Sequence, residues 1–132
     1  MFRTVLTIIL LMFTLSETAG FAVEYASVEK SSVSIDYTKI NREDTLNKAD
    51  SFFEWAIKAQ DDGVKKDCLK RAQLEYSILA QANHDDIYSV VRLGRICDML
   101  KEDRYAKSYF SRAINIDYKN IDANRYFGDF YY

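Results

Sequence analysis

The sequence predicts an all-α protein of short antiparallel helices, and three observations lead to this prediction. The 132 residues include no proline and four glycines, where average usage gives about seven and about nine, so few residues break a helix. From residue 44 onward, apolar residues recur at intervals of three and four, which is the period of one helix face. The same stretch also contains an internal repeat, whose period is long enough to hold two helices. We therefore expect stacked helical hairpins.

The first segment, residues 1–22, has the layout of a secretory signal peptide. Arg3 is followed by an uncharged run at residues 5–15 (VLTIILLMFTL), and then by a more polar stretch that ends in small residues. We place the cleavage after Ala22, because Gly20 and Ala22 then form the small pair around Phe21. The alternative is an uncleaved anchor, although such a run falls short of the roughly 20 residues that cross a bilayer. We expect an exported protein, which is periplasmic, in the cell envelope or secreted.

Residues 23–43 form the second segment, which is rich in serine and has no helical period. Val33, Ile35 and Tyr37 alternate as one strand face would, but a single strand has nothing to pair with. We predict an extended or disordered leader. The alternative is a strand that pairs with the sheet edge of another protein.

Residues 44–132 contain five predicted helices. Their apolar faces consist of Leu46, Ala49, Phe53 and Ala56; Leu69, Ala72, Tyr76 and Leu79; Ile87, Val90, Leu93, Cys97 and Leu100; Ala106, Phe110 and Ala113; and Ala123, Phe127 and Tyr131. The predicted amino-terminal caps are Asn41 with Asp44, then Asp85 or Asp86, Asp103 and Asn120. We predict a turn over residues 61–67, around Gly63. Short polar turns between the helices indicate an antiparallel stack.

The internal repeat carries a resemblance to a known family. Its period superposes Ala72 on Ala106, Tyr76 on Phe110, and Leu93-Gly94 on Phe127-Gly128. A period of about 34 residues with two helices per unit resembles the tetratricopeptide repeat. The resemblance covers residues 46–132, with units at about 46–86 and 87–120 and a half unit at 121–132. It implies a solenoid of helix-turn-helix repeats.

The unit at 87–120 matches the family pattern best. Leu93-Gly94 is its large and small pair, and Ala106 is followed four residues later by Phe110. We expect Gly94 and Ala106 to lie where two helices cross closely, with Phe110 filling the space between hairpins. The unit departs from the pattern at Val90, Cys97 and Tyr118, where the family often has tryptophan, tyrosine and proline.

Residue types that carry chemistry are scarce. The chain lacks HExxH, CxxC, GxSxG and glycine-rich phosphate loops. One histidine, His84, and two cysteines are too few for a zinc or iron–sulfur site. The formal charge of −2 gives no basic field for nucleic acid. We expect no enzyme, no cofactor, no metal and no nucleic-acid partner.

The resemblance implies a protein or peptide partner. In that family the first helices of successive units line a concave groove that holds a partner segment. The matching positions here are Tyr88, Val91, Arg95, Asp98 or Met99, Asp122, Arg125, Asp129 and Tyr132. The lysine and asparagine set that grips a chain-terminal carboxylate in some members is not matched at Val91 and Arg95. The alternative for all of these charged positions is a solvated helix face.

The sequence predicts an exported scaffold or adaptor without chemistry of its own. The alternative is a non-catalytic regulatory or targeting end of a longer envelope enzyme or assembly factor, whose active part lies beyond residue 132. We expect the last helix to be covered by a further helix or to self-associate through residues 121–132, since RYFGDFYY is rich in aromatic residues.

Two pairs of residues carry finer expectations. Arg95 and Asp129 are one repeat period apart and should face each other across the groove. Cys68 and Cys97 fall at helix ends that meet in an antiparallel stack, so a disulfide and two free thiols both remain open.

Overall fold

The computed structural model describes residues 34–132. The predicted signal peptide, residues 1–22, and the part of the predicted leader before residue 34 lie outside the described residues. Residues Asp36–Tyr132 form one structural unit, and this unit holds every helix discussed below.

Five α-helices follow one another in this unit, after a single turn of 3-10 helix at Tyr37–Lys39. They are α1 (Arg42–Lys58), α2 (Asp62–Ala82), α3 (Ile87–Met99), α4 (Asp103–Ile116) and α5 (Ile121–Tyr131). Each helix packs against the next in the chain, and α3 also contacts α5. Within residues 34–132 no strand forms, so the predicted all-α class is confirmed.

Side-chain caps fix where four of the helices begin. The Asn41 side chain accepts from the backbone N–H groups of Glu43 and Asp44 at the start of α1. Asp61 accepts from Val64 N–H at 2.8 Å, Asp86 from Ser89 N–H at 3.2 Å, and Asn120 from Ala123 N–H at 2.9 Å. These bonds satisfy N–H groups that have no partner within the helix. The predicted caps Asn41, Asp86 and Asn120 are confirmed.

The predicted turn at residues 61–67 is wrong. Helix α2 begins at Asp62, because Asp61 is extended (φ −88°, ψ 128°) and its carboxylate caps the helix there. Gly63 therefore lies in the first helical turn, with a negative φ, and only three residues separate α1 from α2.

The predicted cap of α4 is also wrong, by one residue. Asp103 is the first helical residue, and Glu102 stands at the cap position without a side-chain cap bond. The Glu102 carboxylate instead accepts from the Lys70 ammonium and from the Gln73 amide of α2. Lys101, just before it, has a φ of 61°, which turns the chain sharply between α3 and α4.

The core forms along the predicted helix faces, except that Tyr131 of the fifth face is 52% exposed. Tyr76 and Phe110 are the largest fully buried side chains, and alanines such as Ala72 and Ala106 are fully buried where the helices meet. At Gly94 a Cβ atom would lie 2.6 Å from the Phe110 ring. This contact confirms the close approach of α3 and α4 that we expected at Gly94.

The last residues of the predicted leader pack with the helices. The Tyr37 hydroxyl donates to the Gln81 side-chain oxygen of α2. Helix α1 begins at Arg42, two residues before the predicted start at residue 44. Cys68 and Cys97 are both free thiols, so no disulfide joins them.

Candidate functional site

The candidate site is a cleft of about 390 Å³ between the amino-terminal halves of α3 and α5. Such a volume lies within the range of ligand-binding clefts, about 300 to 1,000 Å³. The caps Asp86 and Asn120 start both helices at this end. The lining residues are Ile87, Tyr88, Val91 and Arg92 at α3, and Asn120, Asp122, Arg125 and Tyr126 at α5.

Four of the nine predicted groove residues line this cleft, namely Tyr88, Val91, Asp122 and Arg125. Val91 is only 6% exposed and forms part of the floor, while the other three present polar groups.

The remaining five predicted residues do not line the cleft. Arg95 and Asp98 lie further along α3, where they form an ion pair at 3.5 Å. Met99 is half-buried and packs against the core. Asp129 and Tyr132 are exposed toward the carboxyl end of α5.

Arg95 and Asp129, which we expected to face each other across the groove, form no ion pair with each other. The Arg95 guanidinium pairs with Asp98 on its own helix, and it lies 5.0 Å from the centre of the Tyr126 ring of α5. The ring of Tyr126 therefore occupies the side of Arg95 that faces α5. Asp129 forms no ion pair within residues 34–132.

Two arginines, Arg95 and Arg125, lie close to the Tyr126 ring. The Arg125 guanidinium lies 4.6 Å from the ring centre and donates to the Tyr126 hydroxyl at 2.8 Å. Arg125 also pairs with Asp122 at 3.4 Å. Contacts between guanidinium groups and ring faces are attractive, so Arg95 and Arg125 both favour this position of the ring. The α5 wall of the cleft therefore consists of side chains that contact one another.

Arg92 forms the centre of the α3 wall. Its guanidinium lies 5.1 Å from the ring centre of Tyr88 and 4.7 Å from that of Phe53 in α1. It donates one hydrogen bond, to the Tyr88 hydroxyl at 3.2 Å. Two aromatic rings and one hydrogen bond thus set the orientation of this cation.

Asp50 of α1 accepts a hydrogen bond from the Tyr88 hydroxyl. The Tyr88 hydroxyl donates to Asp50 Oδ1 at 2.9 Å, and the buried Tyr76 hydroxyl donates to the same oxygen. Burial raises the pKa of Tyr88; the hydrogen bond from Arg92 opposes this rise, and the bond to Asp50 adds to it. The hydroxyl therefore keeps its proton, and it donates to Asp50 while it accepts from Arg92.

Four lining residues were not predicted as groove residues: Ile87, Arg92, Asn120 and Tyr126. The predicted stripe follows positions of the repeat, and those positions skip Arg92 and Tyr126. The spacing of Tyr88 and Arg92 by four residues is a usable signal, since such residues meet on a helix surface.

The cleft offers hydrogen-bond donors, ring faces and positive charge. Among residues 34–132, no three His, Cys, Asp or Glu side chains come together as metal ligands would. None of the helices in that range is both long and apolar enough to span a membrane. Tyrosine and arginine side chains of this kind can make hydrogen bonds and stacking contacts with a ligand.

Comparisons with known proteins add no relative. No protein-family model matches the chain, and neither curated proteins nor solved structures give a match. The function of the chain is therefore inferred from the residues described above.

Proposed function

We propose that this protein is an exported, non-catalytic interaction module of the tetratricopeptide type, which binds a peptide or protein segment in the cleft between α3 and α5. The observation that carries the proposal is the position of the cleft. It lies between two helices that begin one repeat period apart, at Ile87 and Ile121.

Several other features with the same spacing support the repeat. The cap residues Asp86 and Asn120 are one period apart, and so are the last residues of α2 and α4, Ala82 and Ile116. The first unit is longer because α1 and α2 have 17 and 21 residues where α3 and α4 have 13 and 14. The extra residues of α2 lie at its amino-terminal end, so they leave the later register unchanged.

The composition of the cleft supports a protein or peptide partner. Tyr88, Tyr126, Arg92 and Arg125 are residue types that are enriched in protein interfaces, where tyrosine and arginine often carry much of the binding energy. Their mutual contacts hold these side chains in place before a partner arrives, which lowers the entropy cost of binding. Export is supported by the character of residues 1–22.

A random peptide library panned against the full chain tests the proposal. Enriched peptides should lose affinity for Tyr88→Ala and for Arg125→Glu, because both side chains line the cleft. A matched control is Arg104→Glu, an exposed charge reversal on α4 outside the cleft. Circular dichroism should show that all three variants remain folded. Enriched peptides whose affinity is unchanged by both cleft variants, or no enriched peptide at all, would contradict the proposal.

A further inference from the structure

We propose that Arg92 anchors an acidic side chain of the bound peptide, so that the cleft selects peptides containing aspartate or glutamate. This inference rests on the proposed function, because it assigns a ligand class to the same cleft. It depends on the two aromatic rings that contact the Arg92 guanidinium, and on the lack of an acidic partner for Arg92 among the described residues.

Arg92 differs from the other half-buried arginines in its partners. Three arginines in residues 34–132 are half-buried: Arg92, Arg95 and Arg112. Arg95 pairs with Asp98 at 3.5 Å, and Arg112 donates to the carbonyl oxygens of Ala80 and His84 at 3.1 and 2.8 Å. Within the described residues Arg92 has neither kind of partner. A partly desolvated cation gains from an anion that enters its site.

Most of the hydrogen-bonding capacity of Arg92 is unused. A guanidinium has five N–H donors, and within residues 34–132 Arg92 donates one bond, to the Tyr88 hydroxyl. The rings of Phe53 and Tyr88 already restrict the guanidinium, so little further side-chain entropy is lost on binding. A planar, oriented fork of donors matches the two oxygens of a carboxylate.

Asp122 and Asp50 both have other partners and form no ion pair with Arg92. Asp122, across the cleft, pairs with Arg125 at 3.4 Å. Asp50 lies behind Tyr88, where its Oδ1 atom accepts from two tyrosine hydroxyls. Neither carboxylate lies within the 4.0 Å of the Arg92 guanidinium that would make an ion pair.

The charge of the cleft also favours an acidic ligand. The side chains that line the cleft include two arginines, Arg92 and Arg125, against one aspartate, Asp122. The whole chain has a formal charge of −2. An acidic segment is therefore attracted to this cleft and repelled by much of the remaining surface. The same overall charge disfavours a long polyanion such as a nucleic acid.

Fluorescence anisotropy with three defined probes tests the proposal on the full chain. The probes are hexaglutamate, hexaglutamine and hexalysine peptides, all acetylated and amidated so that no terminal charge contributes. Hexaglutamate should bind at least about tenfold more tightly than hexaglutamine, as expected for hydrogen bonds to a charged group. Hexalysine should not bind. Arg92→Gln should remove the preference for glutamate, and Arg92→Lys should keep part of it.

Controls separate a binding defect from a folding defect. Arg104→Gln removes an exposed charge outside the cleft and should keep the full preference. Arg92→Met keeps an unbranched apolar side chain next to Phe53 and should lose the preference while it remains helical by circular dichroism. Hexaglutamine binding as tightly as hexaglutamate, or an unchanged preference in Arg92→Gln and Arg92→Met, would overturn the inference.

Two further results separate the carboxylate assignment from the proposed interaction module. A single-stranded oligonucleotide that binds more tightly than hexaglutamate would identify a phosphate site, and it would overturn the carboxylate assignment. Library peptides that bind in the cleft with no acidic residue would also overturn it, while the proposed interaction module would stand. If no peptide binds in the cleft, both proposals fail.

Discussion

Gly94 lies at a place in the core that has no room for a larger side chain. A Cβ atom at this position would lie 2.6 and 2.7 Å from two carbons of the Phe110 ring, which is itself fully buried. At Gly128, 34 residues later, a Cβ atom would meet no neighbouring atom within 4 Å. The two glycines therefore have different surroundings. One is required by packing and the other is not.

We predict opposite effects of alanine at these two glycines. Gly94→Ala should lower the free energy of unfolding by about 1 to 3 kcal/mol, because overpacking outweighs the better helix propensity of alanine. Gly128→Ala should raise it by up to about 1 kcal/mol, since only the propensity changes. Urea unfolding followed by circular dichroism measures both. If Gly94→Ala is at least as stable as the parent chain, the close contact with Phe110 does not exist.

The hydrogen bonds of Glu102 lead us to predict that the stability of the fold depends on pH. Hydrogen bonds from Lys70 and then Gln73 lower the pKa of this carboxyl below its ordinary value of 4.5. The stabilisation is complete above the unfolded-state pKa and is lost as the pH falls through the lower folded-state pKa. We therefore expect the titration midpoint of Glu102 by NMR to lie below 4.5, and unfolding to become easier in that acidic range.

Two variants isolate the contribution of Glu102. Glu102→Gln should weaken the acid dependence of stability, because the side chain no longer titrates. Lys70→Met should move the Glu102 midpoint back toward 4.5, because the largest cause of the shift is removed. A midpoint at or above 4.5 in the parent chain would be inconsistent with the Lys70 and Gln73 contacts.

At the scale of a helix, Asp86 combines two roles at the start of α3. Its carboxylate caps Ser89 N–H at 3.2 Å and pairs with Arg42 of α1 at 3.2 Å, and the residue is only 6% exposed. Asp86→Ala removes both interactions, so we expect a loss of about 1 to 2 kcal/mol in unfolding free energy. Asp86→Asn keeps a capping oxygen and should lose less than about 1 kcal/mol, because Arg42 is largely exposed.

Asp85→Ala is the matched control for this helix start. Asp85 is exposed and its side chain neither caps α3 nor forms an ion pair within residues 34–132. Urea unfolding of the three variants should therefore rank Asp86→Ala as least stable and Asp85→Ala as close to the parent chain. Equal effects of Asp85→Ala and Asp86→Ala would rule out Asp86 as the cap.

The helix faces were easier to predict from the sequence than the helix starts, of which that of α2 differed most. The spacing of Leu69, Ala72 and Tyr76 predicted the buried face of α2 correctly, because burial repeats with the helical period. The start of α2 depended on which aspartate acts as the cap. Asp61 and Asp67 are both acceptable by residue type, and only the extended backbone at Asp61 decides between them.

The candidate site was harder to predict than the helices around it. The spacing of residues along the sequence predicts where Cα atoms lie. The cleft, however, is formed by long side chains that reach from one helix to another. Arg92 extends from α3 to the Phe53 ring of α1, and Arg95 reaches Tyr126 of α5. Such contacts depend on rotamers and on helix separation, neither of which the period of apolar residues determines.

At the scale of the whole unit, contacts are largely between neighbours. Backbone contacts join successive helices and the pair α3 and α5, and no backbone contact within 8 Å joins α1 to α4 or α5 among the described residues. Side chains add a link between α1 and α3 through Arg42 with Asp86 and Asp50 with Tyr88. Among the described residues, α5 contacts α3 and α4, whereas α3 contacts α2, α4 and α5.

This arrangement leaves an aromatic surface near the end of α5. Phe127 and Phe130 are half-buried, with ring centres 6.2 and 6.0 Å from that of Phe110. Tyr131 packs against both rings at 5.0 and 5.3 Å but remains 52% exposed, and Tyr132 is fully exposed. Exposed aromatic rings lose the free energy that burial would supply, about 25 cal/mol for each Å². This cost favours contact with another apolar surface.

We predict that the chain self-associates through residues 121–132, since a second copy supplies such a surface. Light scattering at micromolar concentration should show dimers or larger species, and the double variant Tyr131→Lys with Tyr132→Lys should be monomeric. Trp55→Lys is the control, because Trp55 is 58% exposed on α1, which has no backbone contact with α5. Circular dichroism should find all variants folded, since the changed side chains are more than half exposed. A parent chain that is monomeric at these concentrations would contradict the prediction. Association that is abolished by Trp55→Lys and kept by the double variant would place the contact on α1 instead.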